Sequence, residues 1–284
     1  MSHLTILRSY AQKKPEDILP SVRLLHSEHT ITIFDKYEKA IFHFLVLPRV
    51  KPPYTLDRLR NLRSLLLGDR EQAKQLLERM AEDAKAVQAM IEDEMMKKYG
   101  FKWDIWMGFH AIPSLPHLHL HIISSDLCSN YLKTKKHYNS FHPGHGFFIK
   151  LQDVLEWFEP DTDPRWVELV RLLVETEYGD RLKESFHCWR CDLMIGSFAG
   201  LKGHLQADWE KEGKRKKAAI ERKRIEAEKK ALSSKRQHAE LSSSEETTSK
   251  KQRVGSPSAA QEEPTQDPLD DSQGTGPEKT NKHE

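Results

Sequence analysis

The sequence has few of the features that mark secreted or membrane proteins. Its only cysteines are Cys128, Cys188 and Cys191, too few for the disulfide framework of a small secreted domain. No apolar run reaches the length of a bilayer span, and charges are spread through residues 1–17, where a signal peptide would be apolar. These absences predict a soluble, intracellular protein without a membrane partner.

Aromatic residues are missing from the end of the chain. None of the 6 Trp, 7 Tyr and 11 Phe residues follows Trp209. Residues 213–284 therefore cannot bury enough apolar surface to offset the entropy lost on folding, and we expect a disordered tail there. Lys211–Lys230 has ten Lys or Arg against four Asp or Glu, whereas residues 255–284 have two against seven. The basic part is compatible with nucleic-acid binding, an import signal or a solvated helix face.

Apolar periodicity in the rest of the chain predicts an α+β fold. A hairpin is predicted from Thr30–Phe34 and Ala40–Leu47, and two more strands from Trp103–Ala111 and Leu115–Ser124. Apolar residues at helical spacing predict a long helix ending at Gly100, and shorter helices at Leu56–Leu67, Phe147–Phe158 and Trp166–Tyr178. We expect an antiparallel sheet with helices on one side.

Three histidines alternate with apolar residues in the last predicted strand. Successive side chains of a strand point to opposite faces, so His117, His119 and His121 are predicted to share one face while Leu118 and Leu120 pack into the core. Neighbouring imidazoles cannot all carry a charge, which keeps at least one of them neutral and nucleophilic near neutral pH. The pattern fits nucleophilic catalysis, a three-histidine zinc site or an inert polar face.

The spacing of Cys and His residues after position 186 predicts a small metal unit. Cys188, Cys191 and His204 follow the spacing of a two-cysteine, two-histidine zinc finger up to its third ligand. The fourth histidine of such a finger is expected at position 208, which is Asp208, and a carboxylate can also bind zinc. The alternatives for the fourth ligand are Glu210 and Glu212. A Cys-x-x-Cys pair without metal remains a further alternative.

Several motifs together give the chain a family resemblance. The histidine strand, the preceding segment Phe109–Ser114, the turn at Asp35–Tyr37 and the segment Lys135–Phe141 resemble those of the aprataxins, which belong to the histidine triad superfamily. The resemblance runs from about residue 17 to residue 209 and includes the zinc unit directly afterwards. Animal aprataxins carry a phosphopeptide-binding domain before the triad domain, and we expect neither that domain nor recruitment by it here.

The resemblance implies a role for individual residues. His119 would be the nucleophile that takes up adenylate, with His117 and His121 orienting it and binding phosphate and His110 as a fourth imidazole. Because imidazoles would neutralise the phosphoryl oxygens, no catalytic Mg²⁺ is expected, and zinc would be structural. Asp35 would accept hydrogen bonds from the ribose hydroxyls. The residues expected near phosphates or the DNA backbone are Lys39, Ser114, Lys136 and Arg49.

The resemblance also implies a function and a domain organisation. We expect a catalytic domain of residues 1–185, a zinc finger of residues 186–212 and the tail of residues 213–284. The expected activity is DNA-repair hydrolysis in the nucleus, releasing AMP from 5′-adenylated DNA ends left by abortive ligation and restoring the 5′-phosphate. Two alternatives are a small-molecule nucleotide hydrolase or transferase of the same superfamily, and a non-catalytic zinc-dependent nucleic-acid-binding protein.

Overall fold

An antiparallel sheet organises the computed structural model, which describes residues 3–159 and 175–251. The six strands lie in the order β1-β2-β3-β5-β4-β6, and each neighbouring pair is antiparallel. Their bounds are β1 Arg23–His26, β2 Thr30–Phe34, β3 His43–Pro48, β4 Ile105–His110, β5 Leu120–Ser124 and β6 Phe148–Lys150. The predicted α+β class with an antiparallel sheet is confirmed.

Two strands differ from their predictions. The predicted strand Leu115–Ser124 is wrong in its first half, because β5 begins only at Leu120. His117 has a φ of 134°, which ordinary strand geometry does not allow for a side chain with a Cβ. The prediction of a helix from Phe147 is also wrong at its start, since Phe148–Lys150 pair with β4 before the chain turns into a helix. β1 was not predicted.

The predicted long helix has capping residues at both ends, whereas the predicted helix Leu56–Leu67 is observed only over Leu62–Leu66. The long helix α3, Arg70–Tyr99, starts after Asp69, whose side chain accepts a hydrogen bond from the Gln72 N–H, and ends at Gly100 in the left-handed region with φ 72°. Most of the predicted helix Trp166–Tyr178 lies outside the described residues. The other helices of this part are α1 Ile6–Gln12, α2 Leu62–Leu66, α4 Lys135–Asn139, α5 Leu151–Glu156 and α6 Glu175–Arg181.

The two faces of the sheet are covered differently. On one face, Phe44 and Val46 of β3 and Leu120 and Ile122 of β5 share a buried cluster with the apolar side of α3, and α2 and α5 join the same layer. The alternate residues of β3 and β5 point to the other face. There, α1 packs on the β2–β3 end of the sheet, and a second apolar cluster lies at the β4–β6 end. The histidines lie between these two clusters.

The C-terminal part adds a two-stranded hairpin and a long helix. The hairpin consists of β7 Phe186–His187 and β8 Met194–Ile195, and α7 spans Phe198–Lys251. The predicted boundary at residue 212 falls inside α7. A Cβ on Gly213 would come within 2.7 Å of the Phe101 ring, so only glycine allows the helix to approach this closely. None of the described helices is both long and apolar enough to cross a membrane.

Candidate active site and metal centre

Three histidine rings pack around the ring of His121. The ring centroid of His121 lies 4.9 Å from that of His119, 4.3 Å from that of His110 and 5.2 Å from that of His43. His110 and His121 reach this point from the neighbouring strands β4 and β5. His119 precedes β5, so irregular backbone rather than strand alternation brings it to the cluster. Of the four predicted histidines, His110, His119 and His121 meet here, whereas the ring of His117 hydrogen-bonds to the Pro48 carbonyl and has no described contact with their rings.

The tautomer of His119 follows from its one described hydrogen bond. Its Nδ1 lies 2.7 Å from the carbonyl oxygen of His117, which can only accept a hydrogen bond. Nδ1 must therefore carry the proton, and Nε2 keeps its lone pair. His119 is 7% exposed, against 4% for His121 and 0% for His117. The geometry gives His119 the unprotonated nitrogen that a nucleophile requires.

His43 fixes the orientation of His121, and the sequence analysis did not identify it. The backbone N–H of Lys39 donates to His43 Nδ1 at 3.2 Å, which leaves the proton of His43 on Nε2. His43 Nε2 can then donate to His121 Nδ1 at 2.9 Å, so His121 carries its own proton on Nε2. The signal in the sequence was a single polar residue within the apolar run Ala40–Leu47.

Three buried histidine nitrogens have no hydrogen-bond partner among the described residues. His110 Nε2, His117 Nδ1 and His121 Nε2 are all buried and form no hydrogen bond to any described residue. The other nitrogen of His117, Nε2, donates to the Pro48 carbonyl at 2.8 Å. Buried polar atoms normally have partners, so those of His110 and His121 are suited to contacting a polar ligand. A small cleft reaches the cluster, lined in part by Asn61, His110, Pro113, His117 and His119.

Burial lowers the pKa of every histidine in the cluster. The pKa of His43 and that of His117 fall to about 4, chiefly because burial disfavours the imidazolium. The pKa values of His110 and His121 lie well below 6.5 for the same first reason, with repulsion from neighbouring histidines added, and burial also lowers the pKa of His119. The free protein therefore holds neutral imidazoles at neutral pH, and an anion bound among them would favour their protonation.

We expect this cluster to destabilise the fold as the pH falls. A histidine with an ordinary pKa of 6.5 when unfolded and about 4 when folded takes up a proton on unfolding between these values. Stability is therefore full above pH 6.5 and is lost as the pH falls toward 4, by up to about 3 kcal/mol for each fully buried histidine. Urea unfolding at pH 7.5 and pH 5.5, with proton uptake measured by calorimetry in two buffers, checks this. Equal stability at both pH values, without proton uptake, would contradict it.

Asp35 and Lys39 lie beside the cluster, and the ribose and phosphate contacts that the resemblance implies for them stay predictions. Asp35 Oδ2 is 3.6 Å from His43 Nδ1. Lys39 donates from Nζ to the Tyr37 carbonyl, and its pKa is lowered chiefly by burial. Its charge in turn contributes to the lowered pKa values of His43, His110 and His121.

The other predicted substrate-binding residues lie on the surface. Ser114 is exposed in the loop between β4 and β5, and Lys136 is exposed on α4. Arg49 follows β3, and its buried Nε has no hydrogen-bond partner among the described residues. No described hydrogen bond or ion pair joins these side chains to the histidines, so their roles stay predictions. The charge of Arg8, on α1, lowers the pKa of His117 and places another cation near this end of the cluster.

The three-histidine zinc site, left open as an alternative by the sequence, is not assembled among the described residues. Among the described residues, Asp35, His43 and His121 can bring one ligand atom each within 4.8 Å of one another, whereas His117, His119 and His121 do not form such a group. The 2.9 Å between His43 and His121 is hydrogen-bond length, shorter than the about 3.3 Å expected between two nitrogens on one tetrahedral zinc ion. The distance favours a hydrogen-bonded pair.

The residues predicted as zinc ligands converge in a separate group. One ligand atom each from Cys188, Cys191, His204 and Asp208 lies within 4.8 Å of the others. His204 Nε2 is 3.4 Å from Cys191 Sγ and 3.1 Å from Asp208 Oδ2, and Asp208 Oδ2 is 3.8 Å from Cys188 Sγ. Ligands of one tetrahedral zinc ion stand about 3.3–3.8 Å apart. The distances of 3.4 and 3.8 Å fall in that range and the distance of 3.1 Å is slightly short of it, and two thiols, an imidazole and a carboxylate are a donor set that suits zinc.

The two alternative fourth ligands have other partners. Glu212 is buried and forms ion pairs with Arg190 and Lys216. Glu210 accepts a hydrogen bond from Gln206 at 2.8 Å. These contacts leave Asp208 as the carboxylate that the structure brings to the two thiols and the imidazole.

The metal unit packs directly against the histidine domain. The hydroxyl of Tyr138, a buried residue of α4, donates to the His187 carbonyl at 2.7 Å and accepts from the Trp189 N–H at 3.0 Å. The ring of Trp189 also meets that of Trp106 with centroids 4.7 Å apart. Lys202 Nζ donates to the Ser129 carbonyl at 3.1 Å, so this basic residue of the finger helix holds a loop of the neighbouring domain. The two parts therefore form one packed body among the described residues up to Lys223.

Comparison with protein families finds two matching domains. Residues 6–137 match the family described as scavenger mRNA decapping enzyme C-terminal binding, and residues 144–211 match the C2HE, C2H2 and C2HC zinc-binding fingers. The chain is 32% identical over 192 residues to aprataxin of Gallus gallus and 33% identical over 189 residues to that of Danio rerio. These alignments cover 68% and 66% of the chain, but only 52% and 49% of the relatives, so it spans about half of their length.

Solved structures share the fold. The crystal structure of the aprataxin ortholog Hnt3 from Schizosaccharomyces pombe matches with a TM-score of 0.54 at 24% identity, covering 74% of this chain and 93% of that one. Hnt3 in complex with DNA matches with a TM-score of 0.55 at 24% identity, covering 76% of this chain and 97% of the other.

Proposed function

Given that the chain belongs to the aprataxin family of histidine triad proteins, we propose that it releases AMP from 5′-adenylated DNA ends and leaves a 5′-phosphate. The observation that carries the proposal is the His119 side chain, whose Nδ1 is held 2.7 Å from the His117 carbonyl so that Nε2 has a free lone pair. A relative of the same fold has been solved in complex with DNA, which supports DNA as the substrate class.

In the first step, His119 Nε2 attacks the phosphorus of the adenylate. A phosphorus–nitrogen bond forms, and the bond from that phosphorus to the bridging oxygen of the DNA 5′-phosphate breaks. The electron pair leaves with the DNA phosphate, which is a stable dianion near neutral pH and needs no added proton. Dividing the reaction into two displacements lets an imidazole, rather than water, meet the negatively charged phosphate first.

In the second step, water attacks the same phosphorus and the phosphorus–nitrogen bond breaks. The bonding pair returns to His119 Nε2, the water proton passes to the surrounding solvent or a neighbouring imidazole, and AMP is released. His119 thus ends in the tautomer in which it began, because Nδ1 stays bonded to the His117 carbonyl throughout. No reductant, oxidant or second substrate is required.

The neighbouring groups would stabilise the charge on the phosphoryl oxygens. His121 carries its proton on Nε2, a buried atom without a partner among the described residues, and is suited to donating to a non-bridging oxygen. Lys39 adds a cation whose field reaches the cluster. Asp35 would accept hydrogen bonds from the ribose hydroxyls, which its position next to His43 allows.

Zinc would have a structural role in this scheme. Cys188, Cys191, His204 and Asp208 would hold the ion, and it would fix the hairpin and the start of α7 against each other. The finger would extend the surface that contacts DNA. A finger of this size gives affinity for the phosphate backbone more readily than sequence preference, which suits an enzyme acting wherever a damaged end occurs.

Basic clusters at Lys214–Lys217 and Lys250–Arg253 are the reason to propose a nuclear location.

The function is tested by giving the full chain three substrates in parallel. These are nicked DNA with a 5′-adenylate, a small AMP ester and a dinucleotide polyphosphate, and the measurement is AMP release with the DNA product identified as 5′-phosphorylated. The proposal expects the largest kcat/KM on the adenylated DNA. A larger kcat/KM on the dinucleotide would favour a small-molecule nucleotide hydrolase. DNA binding without release of AMP from any substrate would favour a non-catalytic binding protein.

A further inference from the structure

Two exposed tyrosines meet at the surface near the histidine cluster. Tyr37 lies in the loop between β2 and β3, Tyr131 lies in the loop after β5, and their side chains are 41% and 39% exposed. Their ring centroids are 5.6 Å apart with an interplanar angle of 70°. The two rings come from loops distant in sequence, so their meeting is a property of the fold. The proposed chemistry at His119 uses neither of them.

Both loops hold the tyrosines in defined positions. The Tyr37 N–H donates to Asp35 Oδ1 at 2.8 Å, which closes a turn. The Tyr131 N–H donates to Ser129 Oγ at 3.0 Å, and the following Leu132 is fully buried. Rings held in place in this way can bind a flat ligand without a large entropic cost of ordering.

Each tyrosine carries a lysine over its ring. Lys36 Nζ lies 5.6 Å from the ring centroid of Tyr37, and Lys133 Nζ lies 5.4 Å from that of Tyr131. Both lysines are exposed, so their charges are available to an anion from solvent. Aromatic rings flanked by flexible cations form the type of surface on which the bases of a single strand stack while its phosphates meet the lysines.

The aromatic pair adjoins the proposed phosphate site. Asp35 Oδ1 accepts a hydrogen bond from the Tyr37 N–H, and Asp35 Oδ2 lies 3.6 Å from His43 Nδ1. Lys39 links the same loop to the cluster, because its Nζ donates to the Tyr37 carbonyl while its charge acts on His121. A nucleotide with its phosphate among the histidines would therefore have the tyrosine pair within reach on the Asp35 side.

We propose that Tyr37 and Tyr131 form a stacking platform for an unpaired nucleobase of the substrate, with Lys36 and Lys133 contacting the adjoining phosphates. The proposal rests on the proposed function, since it assumes a nucleotide phosphorus at His119. The base has two possible sources, the adenine of the adenylate or a base of the DNA strand that is unpaired at its damaged end.

The test compares the double variant Tyr37→Ala/Tyr131→Ala with the wild-type chain. We expect kcat/KM on 5′-adenylated nicked DNA to fall by about tenfold to a hundredfold, the effect that loss of one stacked base produces. The double variant Tyr37→Phe/Tyr131→Phe keeps the rings and should lose far less. Leu67→Ala, which removes an exposed apolar side chain elsewhere, controls for surface changes, and thermal unfolding checks that each variant folds.

A second substrate identifies the source of the base. Loss on adenylated DNA together with an equal loss on a small AMP ester would assign the platform to adenine, and loss on the DNA alone would assign it to a DNA base. Wild-type kcat/KM on both substrates would overturn the platform. If the wild-type chain releases no AMP, the proposed function fails, and the platform is tested by the dissociation constants for AMP and a single-stranded oligonucleotide. Unchanged affinity for both in the alanine variant would overturn it.

Discussion

His119→Ala is expected to abolish AMP release from 5′-adenylated DNA while the protein stays folded. Without the imidazole no covalent intermediate can form, and kcat should fall by at least about 1,000-fold, in the range seen when other enzymes lose a nucleophile. The variant removes one hydrogen bond and leaves the His117 carbonyl without its partner. That change costs about 1–3 kcal/mol, which a domain with a core of this extent can absorb.

The measurement is single-turnover AMP release, with binding of the same DNA followed separately by fluorescence anisotropy. We expect DNA affinity to change little, because His119 is nearly buried and, in the proposed mechanism, contacts only the reacting phosphate. His29→Ala is the matched control, since His29 is a half-buried histidine that contacts Arg79 away from the cluster. Turnover by His119→Ala within a few-fold of the wild-type rate would show that another group attacks phosphorus.

Removing the zinc ligands is expected to damage DNA binding more than the chemistry. In Cys188→Ser/Cys191→Ser, the dissociation constant for DNA should rise by about tenfold or more, because the finger would no longer present its side chains to the phosphate backbone. Hydrolysis of a small AMP ester should fall less, since the histidines and Asp35 belong to the sheet and its loops. Some loss is expected there too, because Lys202 of the finger helix holds Ser129.

Two further variants give this experiment its controls. Cys128→Ser changes the remaining cysteine, whose Sγ donates to the Asp126 carbonyl, and should keep its zinc. Asp208→His replaces a carboxylate by the imidazole of a standard finger and should retain most of the zinc and DNA affinity that Asp208→Ala loses. Zinc content is measured by atomic absorption. Equal losses on DNA and on the AMP ester would mean that the finger only stabilises the catalytic domain.

Local sequence spacing predicted which side chains lie close together better than it predicted the backbone. The zinc ligands lie within 21 residues on one hairpin and one helix turn, so their spacing alone brings them together. His117, His119 and His121 were found from alternation, although His117 has a positive φ and β5 starts after it. That conformation depends on contacts distant in the chain, including the His117 N–H with the Arg60 carbonyl and its ring with the Pro48 carbonyl.

Contacts between residues of neighbouring strands could not be predicted from local sequence spacing. His43 meets His121 because β3 and β5 are neighbours in a register that pairs Leu45 with His121, and nothing within β3 itself reports which strand lies beside it. The continuation of α7 past residue 212 has a similar origin, since Gly213 and Lys216 contact Phe101 and the Lys102 carbonyl. Because no aromatic residue follows Trp209, the composition of this segment gave no indication that it packs against Phe101 and Lys102.

The most direct test of His119 as the nucleophile is to trap the covalent AMP–histidine intermediate. The full chain is mixed with DNA bearing a labelled 5′-adenylate, quenched within one turnover in alkaline denaturant that preserves phosphorus–nitrogen bonds, digested and analysed by mass spectrometry. We expect AMP to be attached through Nε2 to the peptide that contains His119. This adduct should disappear as free AMP accumulates. AMP release with no adduct at any time, or an adduct on another residue, would contradict it.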